Sequence, residues 1–329
     1  FHYYLCRQLK GGGMEINMVK FLIRRILWLI PVVLGVTVLV FTIMYFTPGD
    51  PAVIALGSEA TEESIAQFNA AHGLDQPYIV RLLRYIKSTF VDFDLGTSYI
   101  NGSSISGQII DRLPYTLRIS YTGILLSILI GIPLGVIAAT NQNTWKDSLS
   151  MVVSLFCASM PSFWFALILV MFLALRLGIL PTVGVEDWRG YIMPCLAVGI
   201  GGAASIARQT RSSMLEVIRQ DYITTARAKG QKELKVIYGH CLRNAMIPVL
   251  TVIGSQMAAL VGSSLVCETI FAVPGIGSYM ISGVNQRDTP VVLGCVIVLA
   301  VLFSLVMLIL DILYTVVDPR LRSIYSSKK

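Results

Sequence analysis

The chain has 329 residues, of which 55% are apolar and only 14% charged, with a mean hydropathy of +0.71. That is too little charge to cover the surface of a water-soluble protein, which sets aside the two soluble domains that length alone implies. The net charge of +7 is not a nucleic-acid signature, because the lysines and arginines lie where a membrane places them.

In chain order, residues 1–19 show no periodicity and are expected to be an N-terminal extension, disordered or a start-site artefact, with Met14 or Met18 as the initiator. Crossing the hydrocarbon takes about 20 mostly apolar residues. Six stretches meet or approach that: 26–46, 117–139, 149–175, 191–207, 247–267 and 291–317. The first is not a cleaved signal, since its apolar run is too long and no small-residue cleavage site follows. The fourth carries Pro194, Gly199, Gly201 and Gly202, a composition suited to lying between other helices rather than facing lipid. Arg118 and Arg176, near the external ends of their spans, are expected to snorkel. Asp311, inside the last span, costs about 3 kcal/mol on insertion scales; a structural partner or interfacial solvation is favoured over a proton relay.

Orientation follows from the basic residues. With the N-terminus inside, the tail before the first span, segment 140–148, loop 208–246 and tail 318–329 hold 18 of the 26 lysines and arginines. The chain therefore reads as an all-α, N-in/C-in membrane protein of six transmembrane helices. Its first span is 20–46, an external soluble loop fills 47–112, and a core of five spans occupies 113–317. Within the external loop, 62–68 and 79–90 read as amphipathic helices, the second with Ile79, Leu82, Leu83 and Ile86 on one face. Small residues recur at helical spacing as Ala197, Gly201 and Ser205 in the fourth span and Gly254, Ala258 and Gly262 in the fifth. Close helix packing is the favoured reading, with a solute path along the same faces the alternative.

The six cysteines (Cys6, Cys157, Cys195, Cys241, Cys267, Cys295) form no Cys-x-x-Cys pair and the three histidines are far apart. No metal site or disulfide framework is expected. No nucleophile–base signature or intramembrane carboxylate cluster supports an intramembrane enzyme. A proton-coupled transporter would need more intramembrane ionisable groups than Asp311.

Loop 208–246 carries eight basic and three acidic residues. Asp221 to Lys229 reads as a helix with Gly230 as its terminating glycine, and a second helix is expected over 232–243. Arg227 and Lys229 suit the C-terminal end of the helix dipole. A solvated positive loop beside anionic lipid explains the charge but not the helix-Gly-helix pattern. Ala226, Ala228 and Gly230 leave a small surface of the kind that docks into a groove.

This loop resembles the EAA loop of ABC-importer permeases. Thr224-Thr225-Ala226 stands where the consensus has Glu-Ala-Ala, and Arg243 where it has Pro. These departures are similar to the dipeptide/oligopeptide/nickel permease version, as are Pro48-Gly49-Asp50-Pro51, Gly73-Leu74-Asp75-Gln76-Pro77, Asp94-Leu95-Gly96-Thr97-Ser98, Leu113-Pro114-Tyr115-Thr116-Leu117, Met160-Pro161-Ser162-Phe163-Trp164, Phe271-Ala272-Val273-Pro274-Gly275-Ile276-Gly277 and Asp318-Pro319-Arg320. The resemblance implies a type I importer bundle in the bacterial cytoplasmic membrane and a coupling helix at Asp221, Tyr222, Thr225, Ala226, Arg227, Ala228, Lys229 and Gly230. It further implies a second permease subunit, one or two ABC ATPase subunits that bind ATP and Mg, and an extracytoplasmic solute-binding protein. Transport would proceed by alternating access, with this chain non-catalytic. Peptide is the default solute, with a nickel chelate or a glutathione-like compound as alternatives.

Overall fold

The structure is a computed structural model and describes residues 18–57 and 60–317. The expected N-terminal extension before residue 18, the Asp318-Pro319-Arg320 motif, the tail it opens and the side chain of Asp311 fall outside the described residues. Twelve α-helices are described: α1 Met18–Phe46, α2 Pro51–Leu56, α3 Glu62–His72, α4 Tyr78–Phe90, α5 Ile105–Thr140, α6 Trp145–Ser159, α7 Ser162–Leu169, α8 Ile192–Ile218, α9 Asp221–Ala228, α10 Arg243–Ile270, α11 Ile276–Asn285 and α12 Thr289–Val317. Among them five are long and apolar enough to span a membrane, and six if the bent pair α6–α7 is one span.

The short external helices form for local reasons. Asp50 accepts the Ala52 N–H at 2.9 Å and Pro51 opens α2 with its fixed φ and missing donor. Thr61 and Ser64 close a reciprocal capping box on α3, which ends on left-handed Gly73 (φ +64°). α4 leans on the first span through Tyr78, whose ring lies 5.0 Å from that of Tyr45 and 5.9 Å from that of Phe41. It is the amphipathic helix expected from periodicity, but only part of its apolar stripe, Leu82 and Ile86, is half-buried. Ile79 and Leu83 are exposed, because aromatic and hydrogen-bonding contacts from Tyr78 set the rotation of so short a helix.

Three spans differ from their expected limits. α5 begins at Ile105, capped by Ser104, and runs 36 residues, about 54 Å at 1.5 Å per residue. It therefore projects well beyond an about 30 Å hydrocarbon core. Arg118 consequently lies more than three turns inside the helix, where its guanidinium reaches the Tyr191 hydroxyl at 3.5 Å. The third span is broken: α6 and α7 meet at 101°. Pro161 has no N–H for the ladder, and Met160 before it sits in the extended region (φ −80°, ψ 128°) that a following proline demands. The second loop helix is not separate either. A π-helical segment, Lys235–Leu242, runs without a break into α10, so it is the cytoplasmic root of the fifth span.

α8 is the centre of the bundle. Two-thirds of its most apolar stretch is buried, against 17% for the first span, as its glycines and proline implied. Its main partner is α5, and the seam between them is made of small residues. A Cβ on Gly131 would come 2.7 Å from the Ala203 carbonyl oxygen, and one on Gly135 2.6 Å from that of Ala207. Ser127 donates to the Gly199 carbonyl at 2.6 Å. Without a hydrophobic drive between helices in lipid, this close backbone approach is what holds them.

Candidate functional site

Segment 140–148 and loop 208–246, both assigned to the cytoplasm by charge, gather at one end of the bundle. There Asp147, at the start of α6, accepts two hydrogen bonds from Arg211 of α8, at 2.5 and 2.7 Å. It also accepts the Asn143 N–H at 3.0 Å, fixing the left-handed turn before α6 (Asn143 φ +63°).

α9 sits beside this clamp. Its 8 residues are too few for a helix to be stable alone, so its position depends on its seat. Ile223 is fully buried and Ala226 packs with it. Around them lie Val136 and Ala139 from α5, Met214 from α8, and Val236, Cys241 and Ala245 from the root of α10. Asp221, Tyr222, Thr224, Thr225, Arg227, Ala228, Lys229 and Gly230 remain exposed. The C-terminus is closed by a Schellman motif: Gly230 N–H bonds the Arg227 carbonyl at 2.9 Å and Gln231 N–H the Ala226 carbonyl at 3.4 Å. Gly230 carries φ +74°, so glycine is required there by conformation. A Cβ would meet open space.

Two polar ties hold the following segment. Arg227 donates to both carboxylate oxygens of Glu233, the shortest contact being 2.8 Å. That hydrogen bonding holds the Glu233 carboxyl below the usual carboxylate range. The His240 ring nitrogen Nε2 pairs with Gln231 Oε1 at 2.7 Å. The helix is thus a rigid knob, anchored on one side and exposed on the other, at the mouth of α5, α8 and α10.

The helix ends at Gly230 as the sequence implied, but one of the small residues expected on its exposed surface is turned to the bundle. Ala226 turns inward, so the small surface expected from Ala226, Ala228 and Gly230 is reduced to the last two. Arg227 is engaged within its own loop. Ile223, the anchor, was missed, although an apolar residue three before Ala226 on an otherwise polar helix was a readable signal.

The two small-residue trios also divide. Ala197 and Ala258 are buried, and a Cβ on Gly254 would press on Leu310. Gly201 and Gly262 would meet nothing within 4 Å, and Ser205 is only half-buried. The first three pack; the last three face a surface that the described residues leave uncovered. The true α5–α8 seam uses Gly123, Ser127, Gly131 and Gly135, a four-residue repeat not singled out from the sequence.

At the opposite end, Glu268 of α10 is fully buried. Its Oε2 accepts the Ser278 N–H at 3.1 Å, while the Ile276 N–H bonds Thr116 Oγ1 of α5 at 2.9 Å. A side chain on Gly275 or Gly277 would overlap the Glu268 carboxylate. The Phe271–Gly277 stretch is therefore the loop that lets a carboxylate from α10 cap the start of α11. The external segment is fastened separately: Asp288 accepts the Ser98 hydroxyl at 2.5 Å and the Tyr99 N–H at 3.1 Å.

A multi-pass helical bundle with a glycine-terminated knob seated at its basic end is the architecture to be matched with known membrane components. Residues 131–323 match the family described as binding-protein-dependent transport system inner membrane component, and residues 18–120 match its N-terminal companion; the chain belongs to this family and is a multi-pass protein of the cytoplasmic membrane. It is 39% identical to the dipeptide transport system permease protein DppB of Alkalihalophilus pseudofirmus, over 93% of this chain and 100% of the relative. It is 40% identical to the glutathione transport system permease protein GsiC of Salmonella paratyphi A, over 93% and 99% respectively. In fold it is similar to a chain of the MetNI methionine ABC transporter in an inward-facing conformation. The TM-score is 0.54 at 18% identity, covering 65% of this chain and 97% of that one.

Proposed function

We propose that this chain is the non-catalytic permease half of an ATP-driven importer that passes a di- or oligopeptide into the cell. The observation that carries the reading is the knob at Asp221–Gly230: it is anchored by Ile223, exposed elsewhere, and joined through the root of α10 to a membrane span. An ATPase cleft gripping the exposed side would move that span. A second permease subunit would cover the open face holding Gly201, Ser205 and Gly262, and the solute would pass between the two. An extracytoplasmic binding protein would deliver it at the external helices. The sequence holds no Gly-x4-Gly-Lys-Ser/Thr phosphate loop, so ATP and Mg would be bound by the partner subunits.

The names of the two curated relatives support a small peptide as solute. Dipeptides and glutathione share peptide bonds and free carboxylates, and a nickel chelate is the weaker alternative. Reconstitution with a companion permease, ATPases and binding protein tests the reading. Uptake of labelled dipeptide should require ATP and persist when the proton gradient is collapsed; uptake that tracks the gradient would sink it. Gly230→Val, which forces a β-branched residue into left-handed backbone, should hydrolyse ATP without transport. Arg227→Glu should weaken co-purification of the ATPase and break the tie to Glu233.

A further inference from the structure

A cavity of about 480 Å³ lies where the outer ends of α1 and α12 meet the external helices, within the usual range for small-molecule sites. Two guanidinium groups line it, Arg81 of α4 and Arg287 of the turn between α11 and α12, against one carboxylate, Asp50.

Arg287 is in an unusual place. It is the residue just past the end of α11, where its N–H bonds the Val284 carbonyl and the Asp288 N–H bonds that of Gly283. This is a second Schellman motif, and its left-handed position (φ +57°) is ordinarily glycine. A strained arginine where glycine would serve points to a use for the side chain. Its guanidinium has no hydrogen-bond or ion-pair partner among the described residues. Asp288, next to it, is committed elsewhere, to Ser98 and Tyr99. The path for Arg287 is kept open by Gly49, where a Cβ would stand 3.3 Å from Arg287 Nε.

Two further features define the ligand. Asn69 Oδ1 is a buried acceptor without a donor on the wall of the same cavity. The cavity also lies at the height of an aromatic girdle, Tyr45, Phe46 and Tyr78, of the kind that marks lipid headgroups. Leu39, Ile43 and Phe46 of the first span are exposed, so apolar side chains of α1 face the membrane just inside this level.

We propose that this cavity holds the headgroup of an ethanolamine phospholipid of the outer leaflet. Arg81 and Arg287 grip the phosphate in the planar, multidentate way guanidinium groups favour. Asn69 Oδ1 and the free oxygen of Asp50 receive the ammonium, and the acyl chains pass down into the membrane beside the first span. The bound lipid ties the first span, the external helices and the last span together at the outer surface.

Arg287→Gly tests this cleanly, because glycine suits the turn that arginine strains. The transporter, purified with its partner subunits, is delipidated, re-supplied with phosphatidylethanolamine or phosphatidylcholine, and examined by native mass spectrometry. The wild type should retain phosphatidylethanolamine about tenfold or more better than Arg287→Gly, while the variant is at least as heat-stable in lipid-free detergent. Phosphatidylcholine, whose quaternary nitrogen has no proton to donate, should be held less well by the wild type, and Asn69→Leu should erase that preference. Equal retention by wild type and Arg287→Gly would overturn the site. Displacement of the lipid by soluble phosphoethanolamine, inorganic phosphate or a dipeptide at low micromolar concentration would overturn the assignment to lipid and make the ligand aqueous.

Discussion

Replacing Ile223 with alanine tests whether the knob works as a seated, rigid element. Ile223 is fully buried and is the main apolar anchor of an 8-residue helix. Truncating a buried isoleucine to alanine costs about 2–5 kcal/mol, and to valine about 0.5–1.5. Because α9 cannot hold itself together, most of that loss should appear as unseating of the knob rather than unfolding of the bundle. At about 1.4 kcal/mol per tenfold, the unseated population should rise from about 25-fold to several thousand-fold in Ile223→Ala, and by about 2- to 12-fold in Ile223→Val. Cys241 supplies the reporter, since it is buried in the same cluster. With Cys6 and Cys157 replaced by serine, alkylation of Cys241 by a water-soluble maleimide should accelerate by those factors. ATP hydrolysis should continue while transport per ATP falls. If Ile223→Ala leaves both Cys241 reactivity and coupling at wild-type values, the seat is not what positions the helix.

Gly135→Ala should destabilise the bundle by about 1–3 kcal/mol, because its methyl would press on a backbone carbonyl that cannot rotate away; Gly201→Ala, entering open space, should leave the melting temperature unchanged. Thermal unfolding in detergent separates the two. Asp147→Ala should cost about 1–3 kcal/mol, since it strands a charge-assisted bidentate partner, and adding Arg211→Met should recover part of the loss. The Arg227–Glu233 pair has a defined pH sign. Its carboxyl titrates below the ordinary range, so its contribution is complete above the unfolded carboxylate value and is lost as pH falls through the lowered one. Arg227→Gln should move the Glu233 titration, followed by NMR, back up to the ordinary range; an unmoved titration refutes the pairing.

The apolar spans and the loop helix that stops at Gly230 were legible because they rest on signals local in sequence: apolar runs, and a short helix closed by glycine. The misread parts depend on partners far along the chain. The seam of Gly123, Ser127, Gly131 and Gly135 faces residues of α8 more than sixty positions away, so periodicity alone could not rank it above the Gly254 trio. Whether Met160-Pro161 kinks a span gently or bends it through 101° is decided by what packs against both arms. The continuity of Lys235–Leu242 with α10 was obscured because its polar residues resemble a loop, although neither Gly239 nor Pro248 breaks the helical backbone. Glu268 was not singled out from the sequence, where it is a single acidic residue at the end of an apolar run. Its meaning lies in Gly275 and Gly277, which admit it, and in Thr116, which shares its hydrogen-bonding site.

The unbroken run from Lys235 to Ile270 combines an 8-residue π-helical segment with a 28-residue α-helix, roughly 50 Å at helical rise. One end belongs to the seat of the knob and the other carries Glu268. Such a rod is a lever with its fulcrum inside the bilayer. With the pivot at Gly254, a tilt of only about 10° would carry Glu268, about 21 Å along the rod, through roughly 4 Å, enough to stretch a carboxylate's bonds to the amides it caps beyond hydrogen-bonding range. A small stroke on the inner side would thus be read out as the release of a catch on the outer side. The mechanical gain would be set by where along α10 the neighbouring helices grip, and Gly254 against Leu310 is one such point.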